Sequence, residues 1–144
     1  MKKTLFTLLI SALLLATSCK KDEEVVSPEV KFNVSLNGSL EVPTNTSTAT
    51  GSFVGTYNKT TKVISYTINY NGITPTAWHI HKGAVGVNGA VIFPLGTTFN
   101  TAFSSTTAAL TAEQETDLMA GNYYVNIHSA SKPGGEIRGQ LILQ

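Results

Sequence analysis

The chain contains three histidines, and all of them fall in two short apolar segments: His79 and His81 in Trp78-His79-Ile80-His81, and His128 at the end of Tyr123-Tyr124-Val125-Asn126-Ile127-His128. On a strand, side chains two positions apart share a face. His79 and His81 then point together, away from Trp78 and Ile80, and His128 shares its face with Tyr124 and Asn126. Where the two strands meet at one end of a sheet, three imidazoles converge. Neutral imidazole nitrogen is a borderline ligand that suits copper or zinc, and three of them leave one coordination position open. The competing reading has the rings hydrogen-bonding loop carbonyls or pairing with Glu41 or Glu136. Glu136 and Arg138 also share a strand face. They can pair with each other, for about 0–1 kcal/mol if exposed. Beside the histidines, Arg138 can instead orient an anionic ligand bidentately; away from them it fixes loop carbonyls near Gly134 and Gly135. No acidic residue nearby completes a dinuclear or hydrolytic set, and no Ser-His-Asp spacing, Rossmann motif or phosphate loop is found.

Cys19 is the one cysteine, so it has no intramolecular disulfide partner. Before it come Lys2 and Lys3, a nearly continuous apolar run from Leu5 to Ala16, and the small residues Ala16, Thr17 and Ser18. This is the pattern of an export signal, and the run is shorter than the roughly twenty residues a spanning helix needs. Leu15-Ala16-Thr17-Ser18-Cys19 resembles a bacterial lipobox, with Ala16 where Leu is usual. That resemblance implies that Cys19 becomes the new N-terminus and carries diacylglycerol and a further acyl chain such as palmitate. Each buried methylene adds about 0.8 kcal/mol, so two or three chains anchor stably. Lys20-Lys21-Asp22-Glu23-Glu24 resembles the tag that follows the lipid cysteine in surface-displayed lipoproteins, and it also reads as a solvated tether. The expected organisation is a signal peptide over 1–18, a lipidated tether over 19–29 and a folded domain over 30–144. An exported protein held in the cell envelope follows, on the outer membrane with surface display as one of its two possible faces, and with the membrane itself as one partner.

The histidines need a scaffold that brings two strands side by side. Of 144 residues, 42% are hydrophobic and 13% charged, the latter about half the usual fraction. Part of the apolar excess belongs to the leader and not to a fold. Losing Lys2 and Lys3 with it turns a formal charge of +1 into a slight acidic excess, which removes nucleic acid as a partner. The remainder is enough for one domain. From Val30 onward, short segments rich in Thr and aromatics alternate with Gly, Pro and Asn, which predicts strands near 30–37, 49–57, 62–71, 76–82, 89–95, 122–129 and 136–143. That spacing points to an all-β, antiparallel sandwich. Asn58-Lys59-Thr60-Thr61 reads as a hairpin turn, Gly83 to Asn88 as a glycine-rich loop, and Gly96 to Thr107 as a further loop. Thr111-Ala112-Glu113-Gln114 matches a capping box that opens one short helix, stopped by Gly121. Trp78, Tyr66, Tyr70, Tyr123, Phe53 and Ile127 read as core. Gly83, Gly134 and Gly135 read as positions of positive φ.

Several blocks together resemble the CHRD domain, the module named after chordin. They are Leu36-Asn37-Gly38, Glu41-Val42-Pro43, Ala49-Thr50-Gly51, Tyr70-Asn71-Gly72-Ile73, Ala77-Trp78-His79-Ile80-His81-Lys82-Gly83, Gly121 to His128, and Pro133-Gly134-Gly135-Glu136-Ile137-Arg138-Gly139-Gln140-Leu141. The likeness covers roughly 32–143, with Leu40 where a Gln commonly precedes Glu-Val-Pro. It implies a Greek-key sandwich, immunoglobulin-like or superoxide-dismutase-like, in an exported, non-enzymatic module that binds an extracellular protein or glycan. Glu41, Glu136 and Arg138 belong to its recurring blocks. More distantly, the His-x-His strand and the later strand ending in His are similar to the copper-ligand strands of copper–zinc superoxide dismutase. The bridging histidine, the zinc-loop histidines and the cysteine pair of that enzyme have no counterparts here. The likeness therefore implies at most a mononuclear copper or zinc site at His79, His81 and His128, without dismutase turnover.

Overall fold

A computed structural model describes residues 28–144. The signal segment, Cys19 and the tether as far as Ser27 lie outside the described residues. Strand β1 runs Glu29–Asn37, β2 Thr50–Asn58, β3 Val63–Asn71, β4 Pro75–Lys82, β5 Val91–Pro94, β6 Phe103–Thr106, β7 Tyr123–Ser129 and β8 Ile137–Gln140; helix α1 spans Ala112–Met119. Period-2 alternation builds the first strands: in β1, Phe32, Val34 and Leu36 are buried while Lys31, Asn33 and Ser35 face water. β2 buries Phe53 and Tyr57, and β3 buries Ile64, Tyr66 and Ile68. Between them, Asn58 Oδ1 accepts from the backbone N–H of Thr60 and Thr61, and Lys62 adopts φ 62. This is the expected hairpin turn, in which a short polar side chain satisfies the turn's own amides.

The strands form one antiparallel sheet in the order β5-β4-β7-β8-β1-β2-β3-β6. β1 and β8 share a single register pair, Asn37 with Arg138, against nine pairs between β1 and β2. The sheet turns at that narrow joint, and its halves face each other across the core. Trp78 of β4 meets Phe103 of β6 at 5.1 Å and Tyr70 of β3 at 6.1 Å between ring centres. The Tyr66 hydroxyl donates to the Leu95 carbonyl at 3.1 Å. Trp78, Phe53, Tyr123 and Ile127 are fully buried, as expected; Tyr70 is half-buried.

The sequence placed a loop over Gly96 to Thr107, but β6 lies within it and pairs with β3. Phe103 alone of its residues reaches the core, and the other three are exposed. An edge strand of that kind has no apolar alternation to reveal it. The capping box is formed as expected: Thr111 Oγ1 accepts from the Gln114 N–H, and the Gln114 side chain accepts from the Thr111 N–H. α1 buries Leu118 and is tied to β4 by Lys82, 2.6 Å from Asp117. Of the three glycines read as positive-φ positions, only Gly135 is one. Gly83 is required for space, since a Cβ there would stand 2.7 Å from the Val87 carbonyl oxygen; one at Gly134 would meet nothing within 4 Å. No helix among the described residues is long and apolar enough to cross a membrane.

Candidate metal centre

β7 is buried along its whole length, so both of its faces are covered. Tyr123, Val125 and Ile127 enter the apolar core. Tyr124, Asn126 and His128 face the other way. Register extends that second face across three strands. His81 lies opposite Tyr124 and His79 opposite Asn126 in the β4/β7 pair, while Tyr124 lies opposite Gln140 and Asn126 opposite Arg138 in the β7/β8 pair. Segments 38–48, 83–90 and 130–136 fold over it. The buried polar residues among those described, Glu41, His81, Asn126, His128, Ser129, Glu136 and Arg138, all lie in or beside this layer. Burying polar groups is unfavourable unless each is paired, so such a concentration marks this layer as the candidate site.

The three histidines meet at the end of this layer. One ring nitrogen of each lies within 4.8 Å of the other two. His79 Nδ1 stands 3.2 Å from His128 Nε2. His81 Nδ1 is 3.0 Å from the Gly89 carbonyl oxygen, and His128 Nδ1 is 3.0 Å from that of Pro133. A carbonyl only accepts, so both Nδ1 atoms carry hydrogen and both Nε2 atoms present lone pairs. The Nε2 of His81 is buried and has no partner. Two of the rings thus bond loop carbonyls, as the competing sequence reading has it, and all three come together as a cluster able to hold an ion. Carbonyl bonds of this kind set the tautomer of metal-binding histidines. Two nitrogens on one ion at about 2.0–2.1 Å stand about 3.3–3.5 Å apart, close to the His79–His128 separation. Burial pulls all three imidazoles below their ordinary pKa; mutual repulsion adds to this at His79, and the carbonyl bonds oppose it at His81 and His128. This favours the neutral form that ligation requires.

None of the three other charged candidates, Glu41, Glu136 and Arg138, is a simple ion-pair partner. Glu136 and Arg138 do not pair. Glu136 accepts from Ser47 at 2.7 Å and from Ser129. Burial works to raise its pKa, but those bonds and Lys132 outweigh it and the carboxyl is held below its usual range. Arg138 fixes a different loop from the one expected: it donates to the Val87 carbonyl at 2.7 Å and to Asn88 Oδ1 at 3.0 Å, and its guanidinium lies 3.4 Å from the centre of the Tyr124 ring. With its fork engaged and 1% exposure, it does not offer itself to an external anion. Tyr124 in turn stacks on His81 at 4.9 Å and accepts from the Gly89 N–H. Glu41 is buried beside Asn126 and Gly135, and neither its Oε1 nor Asn126 Oδ1 has a partner. A groove of about 400 Å³ runs past this corner, lined by Glu41, Pro43, Asn88, Lys132 and Gly135. Asn88 and Gly89 escaped the sequence reading as site residues, although their loop follows His81 directly.

No curated protein and no solved structure matches the chain. A family model does: the model of the CHRD domain matches residues 32–141, which hold β2 to β8, most of β1 and every residue of the histidine cluster, and the chain therefore belongs to the CHRD-domain family.

Proposed function

We propose that this is a lipid-anchored CHRD module of the cell envelope that acts by binding, without turnover, and that its working site is a mononuclear copper or zinc centre at His79, His81 and His128. The observation that supports the reading most is that two rings have their Nδ1 atoms fixed by carbonyls while one nitrogen of each of the three rings lies within 4.8 Å of the others. His81 Nε2 is unpartnered as it stands, and His128 Nε2, which accepts from His79 Nδ1, is freed when that proton leaves. His79, the half-buried ring, binds through Nδ1 once its proton moves to its other nitrogen. The fourth position is left for solvent or a partner's side chain. Such a site holds or passes on a metal, or clips the module to a partner that supplies the fourth ligand.

Calorimetric titration of the full chain with Zn²⁺ tests this. One site per chain is expected, with His79→Ala, His81→Ala and His128→Ala each weakening it at least about 100-fold; stoichiometric binding in the triple variant refutes it. Cys19→Ala is expected to move the chain out of the membrane fraction, and an unchanged distribution refutes the anchor. A second reading, docking of an extracellular protein or glycan, draws on the uncharged groove at Thr50, Ser52, Asn69 and Asn71. Glycan retention by the triple histidine variant would favour it.

A further inference from the structure

The three-histidine reading leaves open which ion the site prefers, and the layer behind the histidines bears on that choice. Resting on that reading, we propose that Arg138 is a specificity-determining residue that makes the centre take a monovalent soft ion, cuprous copper, in preference to a divalent ion such as zinc.

The donor set brings no negative charge. Among the described residues, the cluster able to hold an ion consists of three imidazoles, with no carboxylate or thiolate in it. Whatever charge the ion carries therefore stays on the site. Behind the ligands lies a fixed cation. The guanidinium of Arg138 is buried, and no carboxylate among the described residues comes within ion-pair distance of it. Its contacts are neutral: a carbonyl, an amide and an aromatic face.

Tyr124 links this cation to the site. β4 and β8 flank β7 on opposite sides, and the Tyr124 ring is covered by His81 from one and by Arg138 from the other. The His81 and Tyr124 rings are 4.9 Å apart and within 7° of parallel, and the guanidinium carbon is 3.4 Å from the Tyr124 centre. Arg138 thus stands no further from the His81 ring than those two separations combined. At that range, in a buried layer that salt screens little, repulsion of the bound ion scales with its charge and is doubled for a divalent ion. Glu41 is the acid that feels Arg138, but burial makes its carboxyl a weak counterion near neutral pH. A cuprous ion is content with three donors, where zinc takes four, and carries half the charge.

The test uses the full chain carrying Cys19→Ser, so that no thiol competes. Cu⁺ affinity is measured anaerobically and Zn²⁺ affinity in air, each by competition with a chromophoric chelator. The unaltered site is expected to favour Cu⁺. Arg138→Gln should tighten zinc more than Cu⁺ and narrow their ratio about tenfold. Arg138→Lys loses the forked bonds but keeps the charge, and should retain the ratio. A structural role alone would instead weaken both ions alike in both variants. Should Arg138→Gln fail to fold by circular dichroism, Glu41→Gln serves: removing the acid that feels Arg138 should widen the ratio. Zinc bound at least as tightly as Cu⁺, or ratios unmoved by these substitutions, overturns the proposal while leaving the metal centre intact. Binding of neither ion overturns both.

Discussion

Glu41 illustrates what burial does to one group in this layer. Removal from water pushes its carboxyl up to about 7, although Arg138 and the Val42 backbone favour the charged form. The folded state therefore holds this proton more tightly than the unfolded chain, whose carboxyl titrates near 4.5. Stability from this group is greatest below that value, falls as pH rises through the window from 4.5 to about 7, and is gone above it. Glu41→Gln keeps the shape and removes the titration. Relative to the parent, the variant is expected to gain on the order of 1–3 kcal/mol between pH 4.5 and pH 8, less than the full shift implies because solvent reaches part of the group. Urea unfolding at the two values checks it, and an equal difference at both contradicts it. The histidines were legible in the sequence because period 2 alone aligns them. Glu41 was visible only as a family residue, since its contact with Gly135 and Asn126 exists once segment 38–48 has folded back over β7.

Segment 83–90 is the element on which the proposed centre would most depend. Lys82 N–H bonds the Ala90 carbonyl, Gly83 N–H bonds that of Asn122, and Arg138 holds Val87 and Asn88, so the strap is fastened along its length. Its Gly89 carbonyl fixes His81. A Cβ at Gly89 would stand 1.5 Å from the Lys82 carbonyl oxygen, so the strap must move to admit one. Gly89→Ala is expected to lower stability by about 1–3 kcal/mol and metal affinity about 10–100-fold, through loss of the bond that orients His81. Gly86 is the control. It has φ +77 but nothing within 4 Å of an added Cβ, so alanine there should cost about 1 kcal/mol and leave affinity unchanged. Equal losses of affinity in the two variants would contradict this role for the strap. The sequence marked the segment as glycine-rich but not its fastening, because the ties to Asn122 and Arg138 reach across tens of residues. Short-range chemistry was legible: the Thr111–Gln114 box and the Asn58 turn need only neighbours. β6 was not, because its exposed serines and threonine carry no pattern until β3 lies beside them.

The molecule carries two layers of different character around β7. One is the apolar core centred on Trp78 and Ile127; the other is polar, closed by three loops and populated by groups that are unfavourable to bury. A small sandwich does not need the second layer to fold, and its burial makes sense if the convergent nitrogens hold an ion. The anchor proposed at Cys19 would place that ion at the envelope surface, at the end of a short charged tether. Alternation foretold the all-β sandwich, while the single joint between β1 and β8, which makes one sheet of two halves, depends on a register no strand states alone. The decisive measurement is elemental analysis of the full chain recovered from the membrane fraction of cells grown with copper and zinc. One equivalent of metal per chain is expected, and none in the His79, His81, His128 triple alanine variant recovered from the same fraction. Metal-free parent chain under those replete conditions, or metal retained by the triple variant, would contradict the account.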